Sequence, residues 1–583
     1  MRIRWWKRLA AAAGCQAALL CVANLATAHE NAPLPPPPVP PLAAPLSPPA
    51  AIDVAPSASA PGSITISRDE LRKLIDEAIK EHDSKRVPAL PVSRPSGTRE
   101  PIQGAAPKAS DDLSKVVNDI IGQREKAKAD ADAKKKADGY VVGDNLGMTA
   151  KWNHGLWLET ADKAFKVHVG GRTQFDVVSV WAPRNVMTGR GGVGDYDDAT
   201  NFRRARLAVE GTFYEVIEFN CEYDFLNTFD ERGGTVAASQ APLGPGTVAN
   251  TPAPTDLWVA LTHIPYLGTI RFGNQKPPIG FEHMTSSRFL NFMERSFAFD
   301  AFLEEGNNGF SPGIAITNTI GEQERATFAV GAFKTTRNIF GWNPGDGEYG
   351  VTGRVTALPY FKDDGRYLVH LGMGMSYKDL DDDIARFRAR TALRNGPAVL
   401  HTIAAIARVV GDNEVLWNPE LVANWGPWTL QSEYQYAVIN GVTRITNTPT
   451  QTNANVSQRQ YVAHGGYVEV LRFLTGEHRE YNKKSASFGR VIPNRNFFSV
   501  RGEDGFRITS LGAWQIGARY QRLDLDDNGI NGGKIDDVTI GLNWFLNPNL
   551  KFQWNYSYGY RTVIGGNSSG DFQGIGMRVA FDF

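Results

Sequence analysis

The sequence predicts an all-β fold: a transmembrane antiparallel β-barrel of about 16 strands (16–18), preceded by a proline-rich tether and short α-helical, coiled-coil-type segments. Three observations predict it. Beyond Tyr140, apolar and polar residues alternate with a period of two in one stretch after another. These stretches run about ten residues, the length a tilted strand needs to cross a bilayer, and they carry Trp and Tyr near their ends. Charged residues make up 21% of the chain. Beyond the N-terminus no window is apolar over the roughly 18 residues that a spanning helix needs. That excludes a helical membrane protein but not a barrel, in which only every second residue faces lipid.

Residues 1–28 read as a secretory signal: "MRIRWWKR" is the basic segment, residues 9–25 are apolar, and Ala26-Thr27-Ala28 is a small-residue cleavage site. The other reading, lipid attachment at Cys15 within "AAGC", leaves a very short apolar stretch. With the signal removed, Cys15 and Cys21 are lost and Cys221 alone remains, so no disulfide framework holds the fold. Residues 29–66 are rich in Pro and Ala and form an extended tether that cannot pack a core. Residues 67–138 contain two helical patterns. One follows the capping box Ser67-Arg68-Asp69-Glu70, and the other carries Leu113, Val116, Val117, Ile120 and Ile121. Each stripe is too short to be stable alone; it pairs with a partner helix, across symmetry-related chains for example, or frays within a linker.

Residues 139–583 carry the strand pattern. In "FKVHVGGRTQFDVV", Val167, Val169, Thr173 and Phe175 oppose Lys166, His168, Arg172, Gln174 and Asp176. In "EFNCEYDF", Phe219, Cys221, Tyr223 and Phe225 oppose Asn220, Glu222 and Asp224. "YLVHLGMGMSYK" and "LKFQWNYSYGY" alternate the same way, and the closing "GMRVAFDF" puts Met577, Val579, Phe581 and Phe583 on one face. A soluble sandwich also alternates, but its domains are about 100 residues long with short turns. Here the pattern continues over more than 400 residues with long Gly-, Asp- and Asn-rich loops, and closure removes the exposed edges. The apolar faces are therefore expected to meet lipid. The terminal Phe583 is expected to end the closing strand, where it resembles the signal read by the barrel-assembly machinery.

The ordered stretches "FKVHVGGRTQFD", "NFRRARLAVEGTFY", "IRFGNQKPPIGFEHMTSSRFLNFMERS", "RVTALPYF", "GGYVEVLRFLTGEHREY", "GAWQIGARYQRLDLDD" and "GGKIDDVTIGLNWFLNPNLKFQWNYSY" cover residues 150–583 together with the closing strand. In that order they resemble the phosphate-selective porin O and P family. The resemblance implies a sixteen-stranded, water-filled, homotrimeric channel in the bacterial outer membrane. The best-known members pass phosphate or polyphosphate. The segment before Tyr140 lies outside the resemblance and is expected in the periplasm, with possible cell-wall contact.

Arginine suits phosphate because its planar fork donates two hydrogen bonds and keeps its charge. From Tyr140 onward arginine outnumbers lysine by about three to one. In "FRRARLAVEG", Leu207, Val209 and Gly211 set the lipid parity, so Arg204, Arg206 and Glu210 point into the lumen. Arg203 falls on the lipid parity and needs a strand end or a bulge to reach water. Arg203 and Arg204 resemble the family's paired constriction arginines through Phe-Arg-Arg. Arg172 shares the lumen parity of its own strand. "RFRARTALR" alternates Arg386, Arg388, Arg390 and Arg394 against Phe387, Ala389, Thr391 and Leu393, so these cations too are expected to face water across a strand whose other side is lipid. The stretch 276–308 resembles the loop that narrows the pore. Lys276, Arg288 and Arg295 are expected to ring the narrow point beside Glu282 and Glu294, the alternative being a loop that neutralises its own cations.

The expected function is passive diffusion of small hydrophilic solutes, with a preference for anions; phosphate selectivity is what the resemblance adds. The alternative is a structural protein that ties the outer membrane to the cell wall through its N-terminal helices. Net charge is zero, so no nucleic-acid partner is expected. "GNSSG" lacks the strand-turn-helix context of a nucleophile, and the acidic run at Asp524 places Ile535 where a calcium loop needs glutamate. No enzyme activity, metal or cofactor is expected.

Overall fold

In the computed structural model, the residues described are 126, 146–193, 198–226, 252–304, 309–334, 349–380, 384–394, 403–447, 450, 454–455, 460–501, 505–527 and 529–583. The signal, tether and helical segments expected before residue 139 lie outside them, apart from Lys126.

Sixteen strands form one sheet in chain order, each antiparallel to the next. They are β1 (Lys166–Trp181), β2 (Ala199–Phe213), β3 (Ile217–Asp224), β4 (Ala253–Ile264), β5 (Gly268–Gln275), β6 (Ser311–Ile320), β7 (Ala326–Lys334) and β8 (Tyr349–Lys362). They continue as β9 (Tyr367–Asp379), β10 (Asn413–Trp425), β11 (Trp428–Asn440), β12 (Gln460–Phe473), β13 (Ala513–Asp527), β14 (Ile530–Asn547), β15 (Leu550–Thr562) and β16 (Gly570–Asp582). β16 pairs with β1, from Gln573 opposite Trp181 to Asp582 opposite Arg172, and closes the barrel. The backbone of Phe583 exchanges both hydrogen bonds with Gly171, at 2.8 and 3.0 Å. Beyond that point the hairpin Met148–Trp152 and Leu156–Thr160 takes over the free edge of β1. The terminal aromatic therefore ends the closing strand at a seam that the hairpin continues, and its ring lies near Trp152.

The side-chain distribution is inverted relative to a soluble sheet. On β9, Leu371, Met373, Met375 and Tyr377 are exposed, while His370 is fully buried. On β13, Ile516 and Tyr520 point out while Arg519 and Gln521 are buried; on β15, Gln553, Asn555 and Ser557 are buried. Aliphatic residues outside and charges inside are stable only if the outside is hydrocarbon. Aromatics gather where short turns join strands: Tyr360, Tyr367 and Trp425 in one group, Trp514, Trp544 and Phe552 in another. There Gly426, at φ 59°, supplies the left-handed corner of the two-residue turn between Trp425 and Trp428. In β8, Pro359 has no donor to give, and the ladder with β9 slips between Ala357 and Tyr360.

Because successive strands alternate in direction, the turns 214–216, 265–267, 321–325, 363–366, 426–427 and 548–549 all lie at one end of the barrel. Long segments fill the lumen from both ends. Residues 276–304 enter from the far end and carry two short helices, Phe281–Met284 and Phe297–Phe302. Residues 474–501 belong to the short-turn end, and Phe488 and Tyr481 there pack on Phe281.

One expectation is corrected. The strand Ile384–Arg390, which carries Arg386, Arg388 and Arg390, is not part of the barrel wall. It joins Ile403–Val410, Arg444–Asn447 and Ala454–Asn455 in a separate four-stranded sheet. Its apolar side, Ala385, Phe387 and Ala389, does not face lipid. It packs with Phe297, Phe302, Leu523, Leu525 and Ile535 in a core inside the barrel. Alternation reports which side is apolar, not which apolar medium covers it.

Candidate functional site

The wall of the site is built by β1, β2 and β3. Arg172 stands opposite Arg206 and Gln174 opposite Arg204, so all four share the lumen side. The ladder then slips, pairing Phe175 with Phe202 and leaving Arg203 unpaired. That bulge turns Arg203 off the lipid parity, and its guanidinium reaches Glu294 at 2.9 and 3.2 Å. Arg204 donates to Gln174 Oε1 at 2.7 Å, and its guanidinium lies 3.8 Å from Glu294. Arg172 grips both oxygens of Glu222 at 2.5 and 2.6 Å; Arg206 joins Asp224 at 2.7 Å and Glu222 at 3.1 Å. Buried guanidinium groups are tolerated here because each is matched by a carboxylate or carbonyl.

The loop 276–304 is fastened to opposite walls. Toward β1 and β16, Arg172 donates to Ser286 Oγ, Gln174 to the Ser287 carbonyl, and Arg578 to Glu294 at 2.6 Å. Across the lumen, both oxygens of Glu433 accept from the N–H groups of Phe281 and Glu282, at 2.6 and 2.9 Å, capping the short helix. Asn291 donates to Glu469, Gln521 accepts from the Phe297 N–H, and Arg519 pairs with Glu282 at 2.6 Å. A loop pinned on both sides spans the lumen as a fixed constriction.

Between loop and wall lies a cavity of about 210 Å³, lined by Arg172, Arg203, Arg204, Arg206, Arg271, Lys276 and Arg295, with Asp256 and Glu304 as its acids. His283, Met284, Ser286, Ser287, Phe299 and Phe310 complete it. The cations divide into two groups. Arg172, Arg203, Arg204 and Arg206 lie within 4 Å of carboxylates. Among the described residues, Lys276, Arg295 and Arg271 form no salt bridge within that distance. Lys276 donates to the carbonyls of His283 and Thr285, and Arg295 to those of Glu282 and Thr285. Arg271 lies 3.9 Å over the Trp258 ring, and its Nε has no hydrogen-bond partner. Burial and the neighbouring Arg295 hold the Lys276 ammonium well below the ordinary lysine range.

The expected ring of loop cations is therefore split. Lys276 and Arg295 face the cavity described above, whereas Arg288, on the same loop, points away from it. There it sits 3.8 Å from Glu222 and 3.9 Å from Asp582 and lines a smaller cavity of about 20 Å³ with Arg172, Arg479, Arg490 and Lys551. Glu282 and Glu294 do lie beside Arg295, which donates to the Glu282 carbonyl, but their carboxylates are paired with Arg519 and with Arg203 and Arg578. Arg388 and Arg390 line neither cavity. Arg390 is buried against Asp300 and Glu304, both at 2.6 Å, and so ties the four-stranded sheet to the loop helix. Sequence reasoning missed Arg271, Phe299 and Phe310. Arg271 had a parity signal in "TIRFGN", whereas Phe299 sits in a helix of only six residues and Phe310 follows it in the loop, too little regular chain to carry a periodicity.

Residues 167–583 match the family model described as phosphate-selective porin O and P. Among curated proteins, Porin O of Pseudomonas aeruginosa is 22% identical over 475 residues, 76% of this chain and 94% of that protein. An uncharacterized protein of Caulobacter vibrioides is 25% identical over 449 residues, 74% of this chain and 76% of its own length. Solved structures that align include the outer membrane channel DcaP of Acinetobacter baumannii, at 11% identity and TM-score 0.40, covering 73% of this chain and 99% of that one. The anion-selective porin of Comamonas acidovorans aligns at 10% identity and TM-score 0.39, covering 72% and 100%.

Proposed function

Given that this chain belongs to the phosphate-selective porin O and P family, and is thus a channel of the bacterial outer membrane, we propose that it passes small anions by passive diffusion, with phosphate as a candidate solute. The observation that carries this reading is the trio Lys276, Arg295 and Arg271, cavity cations with no salt bridge within 4 Å among the described residues. Their charge is left to an ion in transit. The wall arginines Arg172, Arg203, Arg204 and Arg206 add donors, while Glu222, Asp224 and Glu294 reduce their field to a level from which an anion can leave again. Arg288 takes up the ion beyond the loop. No bond is made or broken in this process, and the working unit is a homotrimer.

The test is the reversal potential of single channels in planar bilayers across a potassium chloride gradient. A potential on the chloride side supports the proposal, and one on the potassium side rejects it. Added phosphate should depress the chloride current if phosphate binds the same cations.

A further inference from the structure

The smaller cavity, which Arg288 faces, is lined by Arg172, Arg288, Arg479, Arg490 and Lys551, with Asp582 as its one acid. Two of these cations are matched: Arg172 grips Glu222, and Arg490 pairs with Asp582. Arg288 reaches the same two carboxylates only at 3.8 and 3.9 Å, too far for a hydrogen bond. Arg479 and Lys551 have no carboxylate within 4 Å among the described residues; Glu469 and Glu480 act on Arg479 from farther away. Both side chains are buried, Arg479 completely. Arg479 donates to the Phe289 carbonyl and Lys551 to the Leu290 carbonyl, so together they seat the tip of the inward loop. A carbonyl satisfies an N–H group but leaves the charge uncancelled. Arg479 Nε and Nη1 have no hydrogen-bond partner at all, and neither has the Nε of Arg172 or of Arg288. The Phe488 ring, 4.7 Å from the Arg479 guanidinium, attracts the cation without neutralising it. Burial lowers the Arg479 pKa only to about 10, so the guanidinium is charged at neutral pH.

We propose that this cavity holds one small inorganic anion, of halide size, bound between Arg479 and Lys551. The space sets the size: about 10–15 Å³ holds one water, and this cavity encloses about 20 Å³. One particle little larger than a water fits, and a tetrahedral oxyanion does not. Water alone would fill the space but bring no charge. The ion stays with the folded chain and joins segment 474–501, through Arg479, to the loop tip at Phe289 and to Lys551 of β15. It is a structural counter-ion, separate from the ions in transit through the larger cavity, and does not depend on which solute the pore carries.

The test uses the full-length protein in detergent at neutral pH, in sodium chloride or sodium gluconate of equal ionic strength. Tryptophan fluorescence follows the unfolding temperature as salt concentration rises. A ligand held by the folded form alone raises that temperature with the logarithm of its concentration, roughly 1–2 °C per tenfold for a chain of this size. Chloride is expected to do so; gluconate, too large for the cavity, is not. Arg479→Met, which keeps the apolar stem and removes the charge, should abolish the difference between the salts. Lys551→Met gives a second reading should Arg479→Met fail to assemble. Crystals of the unmodified protein grown in sodium bromide should show one anomalous scatterer between the two side chains. Equal unfolding temperatures in the two salts overturn the proposal. So does a chloride effect that persists in the assembled variants, or a cavity that holds only water in the bromide crystals.

Discussion

Arg578, on the strand that closes the barrel, reaches Glu294 of the inward loop at 2.6 Å, and the same guanidinium holds Asp176 of the first strand at 2.6 Å. One side chain thus links barrel closure to pore constriction. Removing it leaves two buried carboxylates short of a cation, which costs about 3–5 kcal/mol. Arg578→Met is expected to lower the temperature at which the folded, fast-migrating form is lost on semi-native gels. The double variant with Glu294→Gln should recover part of that loss, and an additive result would disprove the coupling.

Glu433 fixes the opposite end of the loop by accepting from two backbone N–H groups. Glu433→Ala strands both donors in a buried site, each lost partner costing about 1–3 kcal/mol. The expected outcome is a noisier, larger single-channel conductance with the barrel still assembled. Unchanged conductance and noise would show that the loop is held without this cap.

Lys276 and Arg295 are expected to set charge preference, while Arg390, neutralised by Asp300 and Glu304, is not. Lys276→Met or Arg295→Met should each lower the chloride-to-potassium permeability ratio by roughly fivefold, the effect of about 1 kcal/mol from one charge near the ion path. Arg390→Met combined with Glu304→Gln, which removes the acid that this arginine neutralises, should leave that ratio alone and instead loosen the four-stranded sheet. Equal effects from all three would mean that the cavity is not the selectivity filter.

The lowered pKa of Lys276 gives a pH dependence with a definite sign. An amine whose pKa is depressed keeps its charge only below that value, so the anion preference falls as pH rises through it. The fall comes at lower pH than an ordinary lysine would give. Reversal potentials recorded across the neutral-to-alkaline range should show the decline in the unmodified channel and a flatter profile in Lys276→Met.

Met373 lies near the middle of β9 on the exposed side. Met373→Arg places a charge in hydrocarbon at about 2–4 kcal/mol and should reduce the assembled protein recovered from outer membranes. Normal recovery would contradict the sidedness of the whole barrel.

What the sequence alone determined here is everything that depends on period and parity. The alternation marks the barrel strands, Leu207 and Val209 set the inward side of Arg204 and Arg206, and the displaced parity of Arg203 calls for the irregularity found between Gln174 and Phe175. These are local properties of an extended chain, legible because successive side chains must point to opposite faces. Only the tertiary structure decided which cations stay unneutralised. Arg390 and Lys276 look alike in sequence, yet one meets Asp300 and Glu304 and the other meets backbone carbonyls and Phe310. It also decided that the apolar side of Ile384–Arg390 covers an interior core while that of the wall strands meets lipid. Charge pairing and apolar contact depend on residues brought together from different elements of the chain, Arg390 and Asp300 across 90 positions for example, and no periodicity carries that information.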